Sequence, residues 1–159
     1  MRLVLCLILM TATVSVSAGN PSVKSYFNHN QNSSYTDPYR KISRKGDNLE
    51  QVILTQIKSA KKSIFVAVQE LRLPLIAQAL IEKQKEGVDV RVILENQYNF
   101  DTIKQKDPGD NEHEASRITE LRAFVDVNRN GTIEVKELEQ RDAVYMMKKA
   151  KIKIMDDTD

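Results

Sequence analysis

The chain has 159 residues, with 24 Lys and Arg against 22 Asp and Glu and a formal net charge of +2. That length allows one domain, and so even a charge balance excludes broad electrostatic attraction to nucleic acid or anionic lipid. Its one cysteine, Cys6, lies in an apolar N-terminal stretch, so a chain processed there would carry neither a disulfide nor a thiolate.

Residues 1–18 have the form of a secretory signal peptide. Arg2 gives the positive start and LVLCLILMTATVSV the apolar stretch. Val16 and Ala18 occupy the small-residue positions before a cut ahead of Gly19. The stretch is short for a bilayer span, and Thr11, Thr13 and Ser15 weaken it further. A secreted or periplasmic protein is expected, with no stable transmembrane segment in the mature chain. The local basic runs are Lys41, Arg44 and Lys45; Lys58, Lys61 and Lys62; and Lys148, Lys149, Lys151 and Lys153. They read as solvated helix faces and helix ends.

Residues 19–22 read as a linker and Val23 to Asn28 as a first strand. Residues 29–46, with their Asn, Ser, Tyr, Pro and Gly, predict a long loop. Asp47 then caps a helix, with Glu50 placed for a capping box. Leu49, Val52, Ile53, Ile57 and Ala60 recur at helical spacing and predict its apolar face. Ile64 to Val68 is a continuous apolar run, the pattern of a strand covered on both sides. Pro74 suits the first turn of the next helix. Ile76, Ala79, Leu80 and Lys83 mark its inner face, and Gly87 stops it. Val88 to Leu94 predicts another strand. Strand, helix and strand within this span make a βαβ unit with a parallel pair and a right-handed crossover.

The pattern changes after residue 94. Residues 95–111 are polar, with DPGDN as a turn cluster. A helix is predicted from about Glu112 to Val125, with Ile118, Leu121 and Val125 inward. A second helix is expected from about Val135 to Lys149, then a short strand at Ile152 to Ile154. Between the two helices stands DVNRNGTIEVKE (126–137), which fits the calcium loop of an EF-hand. Asp126, Asn128 and Asn130 hold loop positions one, three and five, Gly131 six, Ile133 eight and Glu137 twelve. Calcium is a hard cation that takes six to eight oxygens, so alternate residues of a tight loop must aim oxygens inward. The glycine permits the sharp turn, and the last glutamate supplies both carboxylate oxygens. The predicted ligands are the side chains of Asp126, Asn128, Asn130 and Glu137, the carbonyl of Thr132, and a water held by Glu134.

The stretch SAKKSIFVAVQEL (59–71), followed by PLIAQALIEKQKEGVDVRVILEN (74–96), resembles the N-terminal half of a phospholipase D-like domain. YFNHN (26–30) is similar to that family's first strand. The likeness covers residues 23–96 and resumes over RDAVYMMKKAKIKIMDD (141–157). It implies an α/β fold: a partial phospholipase D-like mixed sheet flanked by helices, with an inserted EF-hand-like helix–loop–helix. The domain would run over residues 19–159, with the insertion at about 112–149.

The resemblance implies hydrolysis of a phosphodiester, on phospholipid or nucleic acid, through H-x-K-x-x-x-x-D motifs. One histidine attacks phosphorus, the other protonates the leaving oxygen, and lysines hold the phosphoryl charge. Two motifs complete the site, in one chain or across a homodimer or a second chain. Here His29 is followed by Asn30 and Gln31, and His113 by Glu114 and Ala115. Neither begins an H-x-K, so no catalytic residue carries over. A truncated product or fragment, inactive alone, is expected. The alternatives are a noncatalytic secreted calcium-binding module and a partner subunit that completes a site supplied by another chain.

Overall fold

The computed structural model describes residues 23–105 and 107–158. The signal peptide expected over residues 1–18 and the linker over 19–22 lie outside the described residues. Two short strands, β1 (Ser34–Thr36) and β2 (Ser43–Lys45), come first. Helix α1 (Leu49–Ser59), strand β3 (Ser63–Ala67), helix α2 (Pro74–Lys85) and strand β4 (Asp89–Leu94) follow. A single 3-10 turn at Asn96–Tyr98 leads on to α3 (Glu112–Val125), α4 (Val135–Arg141), α5 (Ala143–Lys149) and β5 (Lys153–Asp156).

Strands β3, β4 and β5 form a parallel three-stranded sheet in that order, with Phe65 beside Arg91 and Arg91 beside Lys153. Helices and a parallel sheet establish the α/β class. The strand–helix–strand reading of Ile64 to Leu94 holds, because its signals are local. Pro74 stands in the first turn of α2, where its missing N–H costs nothing. At the other end Gly87, at φ 87°, gives its N–H to Gln84, and Val88 gives its own to Lys83. That pair of bonds is a Schellman stop, which needs the left-handed residue that glycine supplies. The predicted inner face of α2 is buried, Lys83 included.

The core lies on one side of the sheet. Val90, Val92 and Leu94 of β4 pack with Leu54 and Ile57 of α1, Leu80 of α2 and Met147 of α5. The opposite side is open: Phe65 is 67% exposed and Ile93 43%. The expectation that Ile64–Val68 is covered on both faces is therefore corrected. Its continuous apolar run hides an alternation in which only Ile64 and Val66 turn toward the helices.

Other corrections have equally specific causes. Val23–Asn28 is not a strand, nor is YFNHN, because its backbone bonds go elsewhere: Phe27 gives its N–H to Asp47 Oδ2 and its carbonyl accepts from Asn30 and Asp47. The predicted loop over 29–46 contains the antiparallel β1–β2 hairpin. Asp47 does not cap α1, because its carboxylate is taken by Phe27, Asn30 and Ser33. Asn48 caps instead, accepting from the Gln51 N–H at 3.0 Å. Glu50 makes no capping box; it accepts the hydroxyl of Tyr39. On α1, Leu54 and Ile57 are buried while Leu49 and Ile53 are exposed, so the apolar face is rotated from the predicted one. Helix α3 matches its predicted bounds, with Ile118, Leu121 and Val125 buried. The single helix expected over 135–149 is broken at Asp142, whose backbone is extended (φ −98°, ψ 105°). Among the described residues no helix is long and apolar enough to cross a membrane.

Candidate functional site

The 126–137 loop is shaped by its own side chains. Asp126 accepts from the N–H groups of Asn130 and Gly131, at 3.2 and 2.9 Å. Asn128 Oδ1 accepts from Asn130 N–H at 2.9 Å, and Asn130 Oδ1 from Thr132 N–H at 2.7 Å. The two asparagine bonds are Asx turns, in which a short polar side chain bonds the backbone two residues on. Gly131 takes φ 80° and Arg129 φ 58°, so the loop turns through left-handed backbone twice.

Glu137 closes the loop from inside. It is 5% exposed. Its Oε1 accepts from Val127 and Asn128 at 2.8 and 3.1 Å, and its Oε2 from Glu134 at 3.0 Å. Asp126, Asn128, Asn130 and Glu137 are thus gathered around one turn. Thr132 and Glu134 lie in the same turn with exposed side chains. Ile133 packs inward on the small cluster of Leu121, Val125 and Leu138 that joins α3 to α4. Among the described residues, no three His, Cys, Asp or Glu side chains converge on one point. A cation here would rely on asparagine and carbonyl oxygens beside the carboxylates. That all-oxygen donor set fits a hard cation such as calcium.

A second site lies at the carboxyl ends of the strands, where open α/β sheets take their ligands. A cleft of about 450 Å³ opens there, with Glu95, Asn96, Gln105, Asn111, Glu114 and Asp157 in its wall. Among its described lining residues none is Lys or Arg. Two aspartates at the end of β5 are structural: Asp156 accepts from Asn99 Nδ2 at 3.1 Å and Asp157 from Asn96 N–H at 2.8 Å. His29 and His113 are both exposed, one before β1 and one on α3.

Behind the cleft runs a polar network that the sequence did not announce. Arg117, 8% exposed, donates to Glu114 through Nε at 2.8 Å, to Glu70 through Nη1 at 2.6 Å and to Gln105 through Nη2 at 2.7 Å. Its guanidinium lies over the Tyr98 ring, 4.6 Å from the centroid. Hydrogen bonding to Arg117 holds the Glu114 carboxyl below the usual glutamate range, against the opposing effect of burial. The one available signal was an Arg three residues after a Glu on a predicted helix, a common surface pairing. Its burial depends on Glu70 and Gln105, distant in sequence.

A family model described as the PLD-like domain of cardiolipin synthase matches residues 53–158, more than half of the chain. The chain belongs to this phospholipase D-like family. The match starts within α1, takes in the βαβ unit and the α3–α4 hairpin, and ends just past β5. No curated protein and no solved structure gives a significant match. Membership in the phospholipase D-like family assigns the chain to a group of phosphodiesterases.

Proposed function

We propose that this chain is a secreted or periplasmic phospholipase D-like protein that binds calcium at Asp126, Asn128, Asn130, Thr132, Glu134 and Glu137, and that is catalytically silent by itself. The calcium reading rests on the buried Glu137 carboxylate, held inside the loop by three backbone amides beside the Asx turns of Asn128 and Asn130 and the bonds of Asp126 to Asn130 and Gly131. Calcium supplies charge and fixes the loop; the chain supplies oxygen donors and a buried anchor. Two asparagines lower the ligand charge, so the expected dissociation constant is about 10⁻⁴–10⁻³ M, the range of extracellular modules. The leader pattern at residues 1–18 supports export to such a setting. Isothermal titration with calcium chloride tests this: saturable heat from the chain and none from Glu137→Gln is expected. Equal heats from both leave only a turn.

Silence rests on the absence of a histidine with a lysine two residues on. The parent reaction would be hydrolysis of a phospholipid or nucleic-acid phosphodiester. A chromogenic phosphodiester should be turned over no faster than background. Steady hydrolysis that His29→Ala abolishes refutes this.

The open sheet face around Phe65 and Ile93 favours a second reading. In it a second copy, or another chain, covers that face and completes the site. Activity that appears only on mixing with such a chain would establish it.

A further inference from the structure

We propose that the α3–α4 hairpin is a clamp through which calcium at the 126–137 loop sets the order of residues 96–105 beside the strand-end cleft. This rests on the calcium reading above.

Each arm of the hairpin carries or leads into a buried charged side chain that grips the same segment. On α3 the grip is Arg117, bonded to Gln105 at 2.7 Å and stacked over Tyr98. Just past α4 it is Asp142, 4% exposed. Its Oδ2 takes both the N–H and the hydroxyl of Thr102, at 2.6 Å each. Thr102 is fully buried. Charge-assisted bonds in such surroundings are strong and tolerate little misalignment. Residues 96–105 are therefore held by the hairpin, by Lys148 of α5, which donates to the Asn99 carbonyl at 2.5 Å, and by Asp156 and Asp157 at the end of β5.

The other end of each arm is the loop. Glu137 stands in the first turn of α4, and its carboxylate ties that helix to Val127 and Asn128, just past the C-cap of α3 at Asp126. A bound cation draws on the same two oxygens, so loading the loop changes what Glu137 holds. Helix α4 is one short rigid piece between Glu137 and Asp142. Leu138 packs against Leu121 and Val125, so α3 and α4 shift together. Any displacement at Glu137 reaches Asp142 on one arm and Arg117 on the other. Coupling of this kind travels through packed side chains and rigid elements.

Hydrogen exchange on the full chain, with and without saturating calcium chloride, tests the clamp beside calorimetry of the same samples. Calcium should slow exchange over residues 96–105 about tenfold, within the usual range of coupling between sites. In Asp142→Asn the loop should still gain protection over 126–137, while the gain over 96–105 falls below about twofold. Arg117→Lys serves the same purpose should Asp142→Asn fail to fold. Saturable calcium heat with unchanged exchange over 96–105 in the natural sequence overturns the clamp and leaves the calcium reading intact. Absence of any saturable heat removes both.

Discussion

Thr102 directs its backbone N–H and its hydroxyl to one oxygen, Oδ2 of Asp142, across 40 residues of sequence. The other oxygen of Asp142 accepts the Tyr145 N–H at 2.8 Å and so starts α5. One buried carboxylate thus breaks a helix, caps the next and anchors a distant segment. Asp142→Ala removes a cap and strands two buried donors of Thr102. It should cost about 3 kcal/mol, read as a lower urea midpoint. A loss under about 1 kcal/mol would mean that water replaces the carboxylate at little cost.

Glu114 gives a pH dependence of known sign. Its folded carboxyl sits below the ordinary 4.5, first because of hydrogen bonding to Arg117. The fold therefore favours the ionised form. That stabilisation is complete above pH 4.5 and is lost as pH falls through the depressed folded value. Unfolding midpoints measured from pH 6 down to pH 3 should fall more steeply for the natural sequence than for Glu114→Gln. Parallel curves would assign the acid sensitivity to other groups.

Arg117 is the partner whose removal does more damage. Arg117→Ala leaves the buried Glu114 carboxylate without its cation, while Glu70 keeps Arg72 at 2.7 Å. Breaking a buried pair from one side costs about 3–5 kcal/mol. Denaturant titration checks it, and a double variant with Glu114→Gln should recover part of the loss.

Gly46 lies at φ 104°, and a Cβ there would stand 2.0 Å from the carbonyl oxygen of Asn28. Gly46→Ala should cost at least about 2 kcal/mol through strain and collision. Gly109 is also at positive φ, but no atom lies within 4 Å of its would-be Cβ. Gly109→Asn should stay within about 0.5 kcal/mol. Similar losses at the two sites would show that the contact with Asn28 is not what matters.

The exposed face of β3 and β4 predicts self-association. Phe65 is the most exposed apolar side chain of the sheet, with Arg91 stacked over it at 5.4 Å. Contiguous apolar surface of this kind is an association liability. Size-exclusion chromatography should show concentration-dependent oligomers, and Phe65→Lys should shift the chain toward monomer. A cooperative monomer at all concentrations would sink the idea.

What the sequence determined by itself was local. The β-branched run Val88–Leu94, Pro74 at a helix start and Gly87 at its stop each act within a turn or two of chain. They gave the βαβ unit, and the same holds for α3. The Asp, Asn, Gly and Glu spacing of 126–137 is likewise a property of one turn, and its Asx bonds form between near neighbours. What only the tertiary structure decided were the places where a side chain had two local uses. Asp47 could have capped α1, but Phe27, Asn30 and Ser33 took its carboxylate. Asp142 could have stayed in a helix, but the buried Thr102 made an extended backbone the better solution. Leu54 rather than Ile53 turned inward because the direction of the neighbouring helices, not periodicity, sets the buried stripe. Phe65 looks like a core residue by composition, and it lies open because the helices that follow pack on the other side of the sheet.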